Sequence, residues 1–299
     1  MEKPLVTVGI PSYNHAKYLR RAITSAVKQS YVNLEIIIVD NYSTDETDEV
    51  LASFHDPRIS IIKVRNEGSI AKSRNLVLEA SQGEWIAFLD SDDWWTTNKI
   101  DRCARYFNSD IDLIYHNLIT VGETGKKLLT KNIRSRKLKK PVFRDLLIKG
   151  NTIATSSVVV RRLILKKIIG LKEQKEMIGI EDYNAWLQIS QITDGFKLIS
   201  ENLGFYRIHD NNTSSHTIFS PPVNAYSEFL PLLSKKDIKI MENNYTYLTA
   251  RLNYLSGEYV SNCKNLNKII KDGTIFQRIK ACYMLAMSYC KKKVVLLSS

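Results

Sequence analysis

The feature that most constrains this chain is an alternation in its first half. Short apolar, β-branched runs alternate with segments of helical spacing, and polar clusters follow three of the runs. Leu5–Ile10 is the first run, and residues 16–29 then carry Leu19, Ala22, Ile23, Ala26 and Val27 at helical spacing. Glu35–Val39 is the second. Thr44 and Asp45 stand where an N-cap belongs, before a helix to about Phe54. Ile59–Val64, a helix opened by Gly68 and Ser69 and running to about Ala80, and Trp85–Leu89 complete the series. This order predicts an α/β fold, a mostly parallel sheet flanked by helices, with ligands bound beyond the carboxyl ends of the strands. The clusters Pro11–His15, Asp40–Asp45 and Asp90–Asp93 each follow a strand directly, so they are expected to line one crevice.

The second half reads differently. Lys126, Lys127, Lys131, Arg134, Arg136, Lys137, Lys139 and Lys140 crowd the 120–150 segment behind Gly122 and Gly125, which suggests a mobile loop or a hairpin. Thr155–Val160 reads as a strand, Glu181–Ile192 as a helix and Phe205–Ile208 as a short strand. Pro221 and Pro222 break the chain, and helical stretches rich in Tyr and Lys follow. The expected division is a catalytic domain over 1–220 and a helical extension over 221–299.

A formal charge of +12 on 299 residues admits a solvated basic surface, nucleic acid, an anionic membrane face or phosphorylated substrates. Nucleic acid is disfavoured: no familiar binding module is present, and the basic run lacks interleaved aromatics. Cys103, Cys263, Cys282 and Cys290 are scattered with no CxxC pair, which argues against a disulfide framework or structural zinc and fits a reducing cytosol. No signal-peptide pattern is visible, and no run approaches the ~20 apolar residues of a spanning helix. The expected location is cytoplasmic.

Several residues could carry chemistry, and each has a plainer alternative. Asp90, Asp92 and Asp93 in four residues suit a divalent cation bridging to phosphates, or a helix N-cap. Asp40 can accept bonds from a base or ribose, or form an Asx turn. Arg74 can reach a phosphate, or lie on a helix surface. Glu181 and Asp182 can supply a general base, or open a helix. His209 is a ligand, or a core or surface histidine.

Taken together, these segments resemble glycosyltransferase family 2, whose members invert the anomeric centre on a GT-A fold. The resemblance rests on Val8-Gly9-Ile10-Pro11-Ser12-Tyr13-Asn14, Val39-Asp40-Asn41-Tyr42-Ser43-Thr44-Asp45, Asn66-Glu67-Gly68 through Arg74-Asn75, and Phe88-Leu89-Asp90-Ser91-Asp92-Asp93. It continues in Glu181-Asp182-Tyr183 with Trp186-Leu187, and in Tyr206-Arg207 with His209 and a following Ser. It covers about residues 5–215. Asn41 departs from the second Asp that many members carry.

The resemblance implies a nucleotide-sugar site made by Pro11, Tyr13, Asn14, Asp40, Arg74, Asp90 and Ser91, with Asp40 at a base, usually uracil, and Asp90 at the ribose. It implies Mn2+ or Mg2+ on Asp92, with His209 completing the shell, and Asp182 as catalytic base, with Glu181 the second candidate. Expected partners are a nucleotide-sugar donor and a glycan acceptor linked to a polyprenyl diphosphate, in O-antigen, capsule or exopolysaccharide assembly. Metal-dependent nucleotidyl transfer and non-catalytic nucleotide-sugar binding are the alternatives; the first would want a glycine-rich loop after the first strand, and Pro11–His15 has no glycine. Residues 275–297 place an apolar stretch between Arg278, Lys280 and Lys291–Lys293. It is either a peripheral contact with the anionic inner membrane or a packed terminal helix.

Overall fold

The computed structural model describes residues 3–107, 110–209, 223–255 and 257–297. The chain forms two compact units, Met1–Phe143 with Thr152–Ser215, and Arg144–Asn151 with His216–Ser299. The boundary expected near 220 falls outside the described residues, and 144–151 belongs with the second unit.

The alternation of the first half becomes β1 (Val6–Ser12), α1 (Ala16–Val27), β2 (Leu34–Asp40), α2 (Thr47–Ala52), β3 (Ile59–Lys63), α3 (Ile70–Ala80) and β4 (Trp85–Phe88). Then come β5 (Trp94–Trp95), α4 (Lys99–Ala104), β6 (Leu113–Val121), β7 (Lys127–Ile133), α5 (Val142–Lys149), β8 (Val159–Arg161), α6 (Arg162–Lys167), α7 (Glu181–Ile192) and β9 (Phe196–Arg207). The strands form one sheet in the order β3-β2-β1-β4-β8-β6-β9-β5, with β7 paired to β6. β1 runs parallel to β2 and β4, and β2 to β3. Beyond them β8 is antiparallel to β4 and β6, while β9 runs parallel to β6.

β1 is buried on both faces, as expected of a central parallel strand. Val6, Val8 and Ile10 join the core with Leu19, Ala22, Ile23 and Ala26 of α1. On the other face Gly9 meets α3: a Cβ there would lie 2.6 Å from Val77 Cγ1, so the helix seats against bare backbone. The register sets Ser12 opposite Asp40, so the loops after β1 and β2 leave the sheet side by side.

The 120–150 segment takes the hairpin alternative, with β7 antiparallel to β6, and α5 follows it. Three expectations are corrected. Thr155–Ser157 is a single 3-10 turn, and the strand starts only at Val159. Phe205–Ile208 is not a separate short strand: Phe205–Arg207 ends the twelve-residue β9. The helix after the Thr44–Asp45 cluster starts at Thr47, with Glu46 at its N-cap position.

The second unit comprises residues 144–149 of α5 with α8 (Lys235–Leu255), α9 (Tyr259–Asp272) and α10 (Ile275–Leu297). Its core joins Ala250, Leu266, Ile269, Ala281 and Met284. Tyr245 Oη donates to Leu147 O at 2.7 Å, and Arg144 pairs with Asp237. No described helix is long and apolar enough to cross a membrane.

Candidate active site

The loops that leave β1, β2 and β3 are tied to one another by side chains. Asn14 N donates to Ser43 Oγ at 2.9 Å, and Asn14 Oδ1 accepts from Thr44 N at 2.8 Å. Ser43 Oγ in turn donates to Asp40 Oδ1 at 2.6 Å, and Asp40 is fully buried. Asp45 accepts from Ala16 N at the start of α1 and from Thr47 N at the start of α2, at 2.9 and 3.1 Å. Asn41 Oδ1 accepts from Asn66 N at 2.8 Å, and Ser69 caps α3 by accepting from Lys72 N. Each loop contains one non-glycine residue in the left-handed region, Asn14 (φ 50°), Tyr42 (φ 49°) and Glu67 (φ 55°). Such conformations cost of order 1 kcal/mol each and persist only where surrounding bonds impose them.

The acidic cluster after β4 does not cap a helix: α4 starts only at Lys99, with β5 in between. Its carboxylates separate by environment. Asp90 keeps a partly exposed side chain, and its Oδ1 accepts from Arg74 Nη2 at 2.7 Å. Arg74 Nη1 donates to Glu181 Oε1, also at 2.7 Å, and both these side chains are buried. The guanidinium therefore joins the end of β4 to the start of α7. Burial works against its charge, but the carboxylates of Asp90, Glu181 and Asp182 outweigh that and raise its pKa above the ordinary value.

Asp182 follows Glu181 in the first turn of α7. Its Oδ2 accepts from Thr155 Oγ1 at 2.8 Å. Burial, then the Glu181 charge, pushes the Asp182 carboxyl up to about 6, against the opposing pull of Arg74 and the Thr155 bond. A carboxylate tuned this way is ionised at neutral pH and more basic than a free one, which suits a general base.

Asp92 and Asp93 have opposite fates. Asp93 is buried and its Oδ1 accepts from Arg207 N at 2.9 Å, tying the acidic segment to the end of β9. Burial, with the charges of Asp92 and Asp90, pushes its carboxyl well above the usual carboxylate range. Asp92 instead meets His209, with Oδ2 and Nε2 2.9 Å apart. Tyr18 stacks on the His209 ring at 5.1 Å, and His15 sets its edge against it at 5.8 Å. His15 Nδ1 lies 2.7 Å from Ser91 Oγ. One carboxylate and one imidazole that already converge fit a divalent cation whose other ligands come from a substrate's phosphates. Among the described residues no group of three or more His, Cys, Asp or Glu side chains could hold a metal ion. The Ser residues expected after His209 lie outside the described residues.

The structure thus joins Arg74, Asp90 and Glu181 in one ion-paired group with Asp182 beside it, Asp92 and His209 in a second, and Asn14 and Asp40 in a third, bridged by Ser43. Pro11 is buried near the end of β1, and the Tyr13 ring is exposed at the start of the loop. Sequence reasoning missed Thr155, His15 and Tyr18. His15 could have been found from its place in the Pro11–His15 cluster; Thr155 sits in a segment that reads as strand, where a hydroxyl draws no notice.

Glycosyl transferase family 2 matches residues 7–169, more than half of the chain. The chain belongs to glycosyltransferase family 2. It is 32% identical over 215 residues to the UDP-Glc:alpha-D-GlcNAc-diphosphoundecaprenol beta-1,3-glucosyltransferase WfaP of Escherichia coli, spanning 71% of this chain and 80% of that protein. Solved structures share the fold. S. aureus TarS 1-349 in complex with UDP-GlcNAc gives a TM-score of 0.61 at 16% identity, over 95% of this chain and 89% of that one. The mannosyltransferase PcManGT from Pyrobaculum calidifontis, in complex with GDP-Man and Mn2+, gives 0.62 at 16% identity, over 97% and 81%. This glycosyltransferase therefore has the GT-A fold, and membership of family 2 sets aside nucleotidyl transfer.

Proposed function

We propose that this glycosyltransferase takes a UDP-linked hexose or N-acetylhexosamine and transfers the sugar, with inversion, to a hydroxyl of a polyprenyl-diphosphate-linked glycan during O-antigen, capsule or exopolysaccharide assembly. The observation that carries the reading is the group around Arg74: one buried guanidinium holding Asp90 and Glu181, with the raised-pKa carboxylate of Asp182 beside it. WfaP, a UDP-Glc:alpha-D-GlcNAc-diphosphoundecaprenol beta-1,3-glucosyltransferase, supports the donor and acceptor classes.

In this reading Asp40, Pro11, Tyr13 and Asn14 receive the base and nucleoside, and Asp90 and Ser91 receive the ribose. Arg74 acts through the carboxylates it holds. Asp92 and His209 would hold Mn2+ or Mg2+, in keeping with the Mn2+ bound to PcManGT. When bound, such an ion supplies Lewis-acid stabilisation of the charge that collects on the departing diphosphate.

The acceptor hydroxyl is a poor nucleophile because its pKa is high. Asp182 accepts its proton as the oxygen attacks the anomeric carbon, a contribution of roughly 10²–10⁴-fold. The bond to the diphosphate oxygen breaks on the opposite face of the sugar, which inverts the centre. Glu181 is the weaker candidate for this proton, since one of its oxygens is bound to buried Arg74.

Incubation with a panel of nucleotide-sugars, following release of the nucleotide with and without Mn2+, tests the reading. Metal-dependent turnover of one UDP-sugar is expected. Turnover confined to other nucleotides, or unaffected by chelation, would contradict the donor or the metal assignment respectively.

A further inference from the structure

We propose that the outer face of α10 is a docking surface for an anionic lipid bilayer. The helix has two unlike faces. Ala281 and Met284 pack against Ala250 of α8 and Leu266 and Ile269 of α9, and buried Gln277 and Ser288 lie along the same side. The opposite side is apolar yet uncovered. Ile275 is 78% exposed, Phe276 63%, Ile279 65% and Tyr283 62%. These positions recur at the three- and four-residue spacing that places side chains on one helical stripe. A contiguous apolar stripe of this kind marks a contact surface, whereas scattered exposed residues do not.

The charge around the stripe identifies what it meets. Exposed Arg278 and Lys280 flank it on either side, and Lys280 Nζ lies 4.2 Å from the Phe276 ring centroid. Lys291, Lys292 and Lys293 follow in the same helix, and residues 275–297 contain no Asp or Glu. Two copies of this chain meeting through the stripe would bring the flanking Arg278 and Lys280 of each together, with no acid in the helix to offset them. An anionic lipid surface complements both features: the apolar side chains enter the headgroup–acyl boundary and the basic ones remain among the headgroups. The helix lies on the bilayer, since it is not apolar enough to cross one. This inference is independent of the acceptor assignment, though it would bring the enzyme to the surface where lipid-linked glycans reside.

Sedimentation of the full chain with vesicles tests it, using phosphatidylcholine alone or mixed with phosphatidylglycerol, in the absence of sugar and acceptor. The protein is expected to sediment with the anionic vesicles and to be released by salt. Joint substitution Phe276→Ser and Ile279→Ser weakens binding by about tenfold or more, and Lys280→Glu also weakens it. None of the three changes metal-dependent donor hydrolysis in solution, because all belong to the second unit and the crevice residues belong to the first. Equal recovery in the supernatant with and without phosphatidylglycerol overturns the inference, as does undiminished binding by the double variant. A concentration-dependent dimer seen by light scattering, dispersed by the double variant and without vesicle binding, would assign the stripe to a second copy instead.

Discussion

Arg74 and Glu181 stand 107 positions apart in sequence, yet Nη1 and Oε1 approach to 2.7 Å with both side chains buried. The second Nη binds Asp90, so one guanidinium sets the spacing between the segment after β4 and the start of α7. Truncation to Arg74→Ala leaves the buried Glu181 without its counter-charge. It is expected to cost about 3–5 kcal/mol of stability, read from urea denaturation. The double variant Arg74→Ala with Glu181→Ala should lose less than the sum of the single changes. Additive losses would mean that the pair is not coupled.

If Asp182 is the base, it sets the pH dependence: its pKa is raised to about 6, and a base acts only when ionised. Activity is therefore lost as pH falls through about 6 and is level above it, with kcat/KM dropping about tenfold per pH unit on the acid side. The Thr155 bond favours the ionised form. Thr155→Val should move the acid limb to higher pH while leaving the fold intact, which separates a positioning role from a purely structural one. A pH–rate profile of both proteins measures this, and an unshifted limb in the variant would show that Thr155 does not tune the base.

Asp92 and His209 meet at 2.9 Å. If they hold the divalent cation, Asp92→Ala removes the dependence of donor affinity on Mn2+, and His209→Ala weakens it. Titration calorimetry with UDP-sugar, with and without Mn2+, should show a large difference for the wild type and none for Asp92→Ala. The same Mn2+ dependence in both would place the ion elsewhere.

Asn14 combines a left-handed backbone with a side-chain bond to Thr44 N. Asn14→Gly loses the bond but also removes the Cβ that strains a positive φ, while Asn14→Ala loses the bond and keeps that Cβ. The alanine variant should be the less stable of the two by about 1 kcal/mol. Both should bind nucleotide more weakly, because the loop after β2 loses an anchor. Thermal denaturation and nucleotide titration measure the two effects, and equal stability would mean that the loop relaxes freely.

The parts of the fold legible in the sequence were those with a strong period. β1, β2 and β4 are buried on both faces and read as apolar runs, and α1 shows its buried stripe. β6 escaped because His116, Asn117 and Thr120 interrupt its apolar residues, and its register with β9 shifts around Asn117. β9 escaped along most of its length because Lys197, Ser200, Glu201 and Asn202 give it a mixed face. In the crevice, the residue types were visible but their pairings were not. Nothing local distinguishes Asp92, which faces His209, from its neighbour Asp93, which is buried against the backbone of Arg207. The Arg74 bridge depends on two long-range contacts, and a surface arginine on a helix is the default reading until the fold brings Glu181 to it.

The proposed role of Asp182, removal of the acceptor proton, is measured by comparing Asp182→Asn with the wild type in donor titration and in single-turnover transfer under the same conditions. Donor affinity is expected to be nearly unchanged and transfer reduced roughly 10²–10⁴-fold. Near-normal transfer by the variant would contradict that role.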